Sequence, residues 1–316
     1  MKSEFINMFD DFFEEEDVIP TYISKCSKIY PPLKLPVGIP KIIMQTWKNT
    51  EIPDKWAVSP ESVKSVMSDW TYVLMTDEDN RNLIAEHFPD FLPYYDAFPH
   101  AIQRADAVRY CFLYLYGGIY MDLDFEVQRD LSPLFVSTGE VFLVASGNVS
   151  SYYTNSFMAS RPRAKFWLEV IEEMKRPNQW WYIGKHIEVM NTTGPIMLSR
   201  VARNTKTVIG VVPRKLVMPC SICNLNCSTC ESFLKPLEGS SWTSFDTTFY
   251  NFFLCNYWTI LYFIICLLLL LLIVWIVYKT GLSNVSIYPS DLFNFFKGDN
   301  MDVDSINLDD TSSFVE

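Results

Sequence analysis

AIQRADAVRYCFLYLYGGIYMDLDFE, residues 101–126, is the stretch of sequence that decides the fold. Its first half carries apolar residues at spacings of three and four, as in a helix with one buried face: Ile102, Ala105, Val108, Phe112 and Leu115. Gly117 and Gly118 are predicted to end that helix, because glycine adopts the left-handed conformation common at helix C-termini. Ile119–Met121 then continues as a short apolar strand.

Two acidic residues close this strand. Side chains alternate along a strand, so Asp122 and Asp124 are predicted to point to the same side. Such a pair suits a hard divalent cation, which takes oxygen ligands, although D-x-D triplets also occur as plain surface carboxylates. Asp106 and Arg109 stand three apart and share a helix face, where the alternative is a solvated ion pair. The order of helix, Gly-Gly, strand and acid pair favours the metal site, because unpaired buried charge is costly.

The charge of the chain is concentrated at its two ends. The 316 residues carry a net charge of −11. Residues 1–20 hold seven acids and one base, and residues 279–316 hold seven acids and two bases. The remainder has 37 − 14 = 23 acids and 26 − 3 = 23 bases, so it is neutral. A nucleic-acid-binding protein, which should present a basic face, is therefore not predicted, and the acidic ends are predicted to be poorly ordered.

A membrane-spanning helix is predicted near the C-terminus. Trp258–Tyr278 contains 21 residues and no charge, which is enough to cross a hydrocarbon layer of ~30 Å at ~1.5 Å per residue. Residues 1–20 have no continuous apolar core, so no signal peptide is predicted. Four parts follow: an acidic leader (1–36), a globular domain (37–250) with a cysteine-rich insert (220–230), a transmembrane helix (257–278) and an acidic tail (279–316).

Strands and helices alternate through the globular part. Strands are predicted at Lys41–Trp47, Trp70–Met75, Val141–Ala145, Asn155–Ala159 and Val208–Val212, with helices between them. This alternation indicates an α/β, Rossmann-type fold with a largely parallel sheet. Ligands of such sheets bind at the carboxyl ends of the strands, where Gln45–Trp47 and the two acids are expected to meet.

Seven ordered motifs together resemble one enzyme family: IPKIIMQTWK (39–48), MTDEDNR (75–81), IQRADAVRY (102–110), YGGIYMDLD (116–124), NSFMASRP (155–162), TTGP (192–195) and GSSW (239–242). The combination resembles the DXD-containing sugar transferases of glycosyltransferase family 32, among them the fungal inositol-phosphoceramide mannosyltransferases. The resemblance implies a GT-A fold, Mn²⁺ or Mg²⁺, a nucleotide-sugar donor such as GDP-mannose, and a membrane lipid acceptor such as inositol phosphoceramide. Transfer with retention of sugar configuration is implied in the same way.

The resemblance also implies roles for individual residues. Those that it places against the donor are Gln45, Thr46, Trp47, Asp106, Arg109, Asp122, Asn155, Ser241 and Trp242. It makes Asp124 the direct metal ligand, with Asp122 beside it, and groups both acids with Arg109 as the catalytic set. From the residues alone, the alternative for each of the two tryptophans is a place in the core, and the alternative for Gln45 and Asn155 is a structural role.

This chain departs from the family pattern at three histidine positions. Met44, Pro236 and Thr243 stand where the relatives often have histidine, so the metal is expected to have less support from the protein. Two alternatives to the lipid mannosyltransferase remain open. One is a transferase that uses another nucleotide sugar or a glycan or protein acceptor, and the other is a non-catalytic, membrane-anchored relative that binds sugars.

Four cysteines form a C-x₂-C-x₃-C-x₂-C cluster: Cys220, Cys223, Cys227 and Cys230. The sequence leaves two disulfides, a metal site and free thiols as alternatives. Glycosylation sequons begin at Asn148, Asn191, Asn226 and Asn284 and are usable only on a lumenal side. A single-pass protein of a Golgi/ER-type endomembrane is expected, with its topology open because few basic residues flank the span.

Overall fold

The computed structural model describes residues 38–135, 139–146, 152–179, 184–220, 223, 231–239 and 241–280. The predicted leader and most of the predicted tail lie outside these residues, as do Cys227, Cys230 and the sequons at Asn148, Asn226 and Asn284. Contacts between residues divide the chain into two compact units, and the boundary along the sequence falls between Cys255 and Asn256. The four predicted part boundaries stay predictions.

A six-stranded sheet forms the centre of the first unit. The strands are β1 (Ile42–Thr46), β2 (Thr71–Met75), β3 (Gly118–Met121), β4 (Phe125–Val127), β5 (Val141–Ala145), β6 (Tyr153–Ser160), β7 (Ile209–Val212) and β8 (Leu234–Pro236). The sheet has the order β2-β1-β3-β6-β5-β7, while β4 and β8 form a separate two-stranded ladder. The helices are α1 (Val58–Val66), α2 (Asp77–His87), α3 (Leu92–Ala97), α4 (Ala101–Tyr116), α5 (Lys165–Met174), α6 (Gly184–Thr192), α7 (Pro195–Asn204), α8 (Arg214–Val217) and α9 (Phe245–Thr280).

The α/β class is confirmed, and the sheet is mixed. Strand β1 runs parallel to β2 and β3, and β5 runs parallel to β7. Strand β6 is antiparallel to both of its neighbours, β3 and β5. Only residues 146–152 connect β5 to β6, and a connection this short suits antiparallel strands, whereas a parallel crossover needs about a dozen residues or more.

Helices cover both faces of the sheet because successive strand residues point to opposite sides. Met44 and Tyr120 pack with α4 and α5 in one buried cluster. Ile43 and Ile119, their neighbours in β1 and β3, belong to a second buried cluster on the other face. The sheet is therefore a rigid platform, and its carboxyl-end loops carry the site.

The predicted Gly-Gly break is confirmed. Gly117 ends α4 with φ 66°, and Gly118 opens β3 with φ 83°. A Cβ at Gly118 would lie 2.4 Å from the carbonyl oxygen of Ile42, so no larger residue fits between β3 and β1. The two glycines thus allow the close strand pairing that brings Asp122 next to β1.

The structure decides between the open alternatives at two of the four clustered cysteines. Cys223 forms a disulfide with Cys255 on α9, and Cys220 is also disulfide-bonded, so these two sulfurs supply neither a metal site nor free thiols. Pairing within the cluster is wrong for Cys223, because its partner Cys255 lies in an apolar run without a local signal for a disulfide. The sequon at Asn191 lies in α6, where this residue is buried and its amide donates to the carbonyl oxygen of Ile187.

Helix α9 is longer than the predicted span. It begins at Phe245 and runs for 36 residues. Among the described residues it is the one helix long and apolar enough to cross a membrane, with a mean hydropathy of 3.4 in its most apolar window and none of that window buried. The predicted span, 257–278, lies within it.

Candidate functional site

The carboxyl ends of β1 and β3 meet, as predicted. Met44 is the register partner of Tyr120, so the residues that follow these two positions lie side by side. The Gln45 side chain donates from Nε2 to the carbonyl oxygen of Asp122 over 3.2 Å. This contact joins the first predicted donor segment directly to the predicted acid pair.

Asp122 is held on several sides. Its backbone N–H donates to the carbonyl oxygen of Ser156 over 2.8 Å. Its Oδ1 accepts a hydrogen bond from the Tyr120 hydroxyl and lies 3.1 Å from Arg109 Nη1. The side chain keeps 30% of its surface exposed, and burial of the rest raises its pKa above the ordinary value. Asp122 is therefore a fixed carboxylate with its free oxygen, Oδ2, available to a ligand.

Arg109 lies behind the acid pair. It is buried, and its Nη2 is 3.1 Å from Asp106 Oδ1. Its Nη1 donates to the carbonyl oxygen of Asn155 over 2.9 Å, and the guanidinium lies 4.3 Å from the Tyr120 ring centroid. All these contacts are to protein groups. The predicted Asp106–Arg109 pair is present, and contact of Arg109 with a donor stays a prediction.

Asp106 and Asn155 form the buried base of this network. Asp106 accepts from Asn155 Nδ2 and from Thr193 Oγ1, each over 2.9 Å. The same Asn155 amide donates to the Tyr110 hydroxyl over 3.0 Å. Burial, opposed by Arg109, raises the pKa of Asp106 to about 6. Both residues were predicted to contact the donor, but here their polar groups are bound within the protein.

Gln45 has a similar supporting position. It is fully buried, donates to Ser59 Oγ over 2.9 Å as well as to Asp122, and accepts from the Tyr72 hydroxyl over 3.0 Å. The amide thus ties α1, β2 and the Asp122 turn together. These contacts support a structural role for Gln45, which was the alternative to donor binding.

Asp124 differs from these residues because one of its oxygens has no protein partner. The chain turns after Asp122, and the Asp124 carbonyl accepts from the N–H of Leu237 over 2.7 Å, which fixes the turn to the segment after β8. Its side-chain Oδ1 is buried without any hydrogen bond. Burial and the negative charge of Asp122 raise the pKa of Asp124 to about 7. A buried carboxylate oxygen without a partner beside a second carboxylate is the environment that a divalent cation stabilises.

The rest of the described chain adds no further metal ligand. Within the described ranges, no three His, Cys, Asp or Glu residues are grouped to hold a metal ion. Asp124 and Asp122 are therefore the carboxylates that would hold a divalent cation at this site, and the expectation of weak protein support stays a prediction.

Thr46 and Trp47 form the wall next to the acids. Thr46 Oγ1 donates to the carbonyl oxygen of Met75 over 3.0 Å and accepts from Asn80 Nδ2 over 2.7 Å. The Trp47 ring packs edge-on against Trp56, with 5.2 Å between centroids, and its indole N–H is buried without a partner. This N–H is, like Asp124 Oδ1, a buried polar atom without a protein partner, and a role for Trp47 in holding a ligand stays a prediction.

Trp242 rests on a histidine that the sequence analysis missed. The ring of His186 on α6 stacks on Trp242 with 5.4 Å between centroids and 8° between planes. Lys185 Nζ donates to the Trp242 carbonyl oxygen over 2.8 Å. Ser241 is exposed. The predicted contacts of Ser241 and Trp242 with a diphosphate stay predictions. The position of His186 shortly before the TTGP motif was its only signal in the sequence.

Known proteins similar to this chain are sugar transferases. Residues 53–140 match the family model described as glycosyltransferase sugar-binding region containing DXD motif. The chain is 37% identical over 237 residues to inositol phosphoceramide mannosyltransferase 3 of Schizosaccharomyces pombe, covering 72% of this chain and 62% of that protein. It is 35% identical over 217 residues to mannosyl phosphorylinositol ceramide synthase CSH1 of Saccharomyces cerevisiae, covering 68% of this chain and 55% of that protein. The chain thus spans less than two thirds of these relatives.

Solved structures are more distant. The PaToxG glycosyltransferase aligns with 53% of this chain and 70% of its own, at a TM-score of 0.41 and 17% identity. A likeness this low adds no weight to the assignment. The region matched by the family model, residues 53–140, includes the four residues that the structure brings together, Asp106, Arg109, Asp122 and Asp124. Residues 53–140 of this chain therefore match the DXD-type glycosyltransferase sugar-binding region, and the chain is similar, over about 70% of its length, to the fungal mannosyltransferases of inositol phosphoceramide.

Proposed function

We propose that this protein is a metal-dependent glycosyltransferase that moves a hexose from a nucleotide sugar, with GDP-mannose favoured, to a lipid headgroup such as inositol phosphoceramide. The observation that carries the proposal is the unpaired Oδ1 of Asp124 beside the fixed carboxylate of Asp122. It lies in the matched sugar-binding region. The relatives, which are named as mannosyltransferases of inositol phosphoceramide, support mannose as the sugar and this lipid as the acceptor class.

The residues around the acids would divide the work of such a reaction. Mn²⁺ or Mg²⁺, when bound, would neutralise the negative charge that develops on the leaving diphosphate. Asp124 would hold the cation together with Asp122, whose Oδ1 is kept in place by Arg109 and Tyr120. Preorganised charges of this kind avoid reorganisation during the reaction and favour the transition state.

The aromatic walls would exclude water from the reacting sugar. Trp47 is braced by Trp56, whose indole N–H donates to the carbonyl oxygen of Glu238 over 3.1 Å. Trp242 is braced by His186. Excluding water favours transfer to the acceptor over hydrolysis of the donor. The residues described here do not identify a nucleophile or a base.

We place the catalytic unit on the lumenal side of a Golgi/ER-type membrane, as a single-pass protein. The support is the Cys223–Cys255 disulfide, because disulfides persist in oxidising compartments and are rare in the cytosol. Thiol labelling of sealed microsomes tests this placement. Cys223 and Cys255 should react with maleimide only after reduction and membrane permeabilisation, and labelling of these cysteines in intact microsomes without reductant would reject it.

A donor screen tests the chemistry. Full-length protein in phosphatidylcholine vesicles would receive GDP-mannose, UDP-glucose or UDP-galactose with Mn²⁺, and inositol phosphoceramide or soluble glycans as acceptors. Mass spectrometry should find mannosylated inositol phosphoceramide with wild type and with Asp90→Asn, an exposed-carboxylate control, but not with Asp124→Asn. Transfer of another sugar, or to a glycan, would select the alternative transferase. Saturable sugar binding without any product would select the non-catalytic alternative.

A further inference from the structure

The first turns of α9 are attached to the catalytic unit on one side. Asp246 Oδ2 accepts the backbone N–H of His186 over 2.6 Å. Thr247 is buried, and the Tyr250 ring lies 4.7 Å from the His186 ring. These three residues fix the start of α9 against α6.

The opposite side of the same turns is a strip of exposed phenylalanines, here called the aromatic face: Phe245, Phe249, Phe252 and Phe253. Their side chains are between 41% and 86% exposed. Phe249 lies 6.3 Å from Phe245 and 4.6 Å from Phe253, centroid to centroid, and Phe252 lies 5.6 Å from Phe253. They recur at intervals of three and four residues, so they share one helix face. A contiguous apolar patch of this kind marks an interaction surface.

The length of α9 identifies what this surface meets. Phe252 precedes Lys279, the first charged residue after the span, by 279 − 252 = 27 residues, and a helix of that length measures ~40 Å. Phe249 precedes it by 30 residues, or ~45 Å. A bilayer with its headgroups is ~40–45 Å thick. With Lys279 at one polar boundary, Phe249, Phe252 and Phe253 fall in the headgroup layer at the other.

We propose that the aromatic face lies in the lipid headgroup layer of the membrane that α9 crosses and holds the catalytic unit down on that surface. Aromatic rings favour this layer, and α9 continues from the face into the apolar span without a break. The inference depends on α9 crossing the membrane, as the proposed function states, and does not depend on sugar transfer.

Photocrosslinking tests this placement without any need for enzymatic activity. Benzoylphenylalanine would replace Phe249 in the full-length protein, reconstituted in phosphatidylcholine vesicles. Leu268, inside the predicted span, is the positive control. Tyr94, a half-exposed aromatic residue on α3, is the matched negative control. Formation of the Cys223–Cys255 disulfide, seen as a mobility shift on reduction, would show that each labelled protein is folded.

The proposal predicts lipid adducts at Phe249 at a yield similar to that at Leu268 and at least about five times that at Tyr94. Lipid adducts at Phe249 no more frequent than at Tyr94 would overturn it. Crosslinks from Phe249 mainly to a second copy of the chain would also overturn it, because the aromatic face would then be a dimer contact. Neither result depends on whether sugar transfer is observed, so a failure here is distinct from a failure of the proposed reaction.

Discussion

Arg109 Nη1 lies 3.1 Å from Asp122 Oδ1, and both groups are fixed by other protein contacts. The arginine also pairs with Asp106 at 3.1 Å, so one guanidinium joins a buried carboxylate to the partly exposed one. Its planar fork can reach several acceptors at once, which the ammonium of lysine cannot do in the same geometry. This relationship explains why the partly exposed carboxylate of Asp122 is held in a single position.

Arg109→Lys is expected to lower the rate of sugar transfer by roughly 10- to 100-fold. Lysine keeps the charge but loses at least one charged contact, worth about 1.5–3 kcal/mol, and each ~1.4 kcal/mol in the barrier is tenfold in rate. The matched control is Arg81→Lys, because the Arg81–Asp96 pair is exposed and such pairs contribute only ~0–1 kcal/mol. An equal, small effect of both substitutions on kcat would contradict the role given to Arg109.

Tyr120→Phe removes a hydroxyl that donates to Asp122. We expect kcat to fall about tenfold, because a hydrogen bond to a charged group contributes about 1.5–3 kcal/mol to its positioning. Tyr153→Phe is the control, since the Tyr153 hydroxyl is buried without a partner. Its removal should leave the thermal unfolding midpoint unchanged or raised. If Tyr120→Phe were as neutral as Tyr153→Phe in steady-state kinetics, the hydroxyl would have no role in holding Asp122.

His186→Ala is expected to loosen Trp242 and shift the enzyme from transfer towards hydrolysis. An aromatic stack contributes about 0.5–1.5 kcal/mol, so the ratio of hydrolysed to transferred sugar should rise by roughly 2- to 12-fold. His186→Phe keeps a flat ring and should restore most of the ratio, while His87→Ala, on α2, should leave it unchanged. Radiolabelled donor gives both products in one assay. A ratio of hydrolysed to transferred sugar that stays at the wild-type value in His186→Ala would contradict the role of His186 in holding Trp242.

Stability should depend on pH through Asp106. Its folded-state pKa of about 6 lies above the ordinary 3.8, so between these values the folded protein retains a proton that the unfolded chain has released. The free energy of unfolding therefore falls as pH rises from about 4 to about 6, by up to ~3 kcal/mol. In Asp106→Asn, the contribution of this residue to the fall in the free energy of unfolding between about pH 4 and pH 6 should be absent.

Thermal unfolding of both proteins in detergent micelles at several pH values measures that difference. Asp122 and Asp124 have pKa values raised in the same direction, so the comparison of wild type with Asp106→Asn isolates the contribution of Asp106. Parallel pH profiles for the two proteins would contradict the raised pKa.

The sequence was most informative where local chemistry decides the structure. Thr76 begins α2 with a capping box to Asp79, a contact between residues only three positions apart in the sequence. The i, i+3 spacing predicted the Asp106–Arg109 pair. Gly117 and Gly118 marked the end of α4 because their backbone conformation is one that other residues rarely adopt.

The sequence was least informative where the structure depends on contacts between residues that are far apart along the chain. Helix α6 was not predicted, and its start depends on Asp246, 60 residues further along the chain. The ladder of β4 with β8 joins residues more than 100 positions apart, such as Glu126 and Lys235. Asp106 is buried and accepts hydrogen bonds from Thr193 and Asn155, and no local sequence pattern records these tertiary contacts.

The most direct test of the central claim is binding of Mn²⁺ to the full-length protein in detergent micelles, measured by electron paramagnetic resonance of the free ion with and without GDP. The account predicts that wild type and Asp90→Asn bind Mn²⁺ more tightly when GDP is present. It predicts that Asp124→Asn loses at least about tenfold in Mn²⁺ affinity while its unfolding transition remains cooperative. Mn²⁺ binding by Asp124→Asn as tight as that of wild type, with GDP present, would contradict the assignment of Asp124 as the metal ligand.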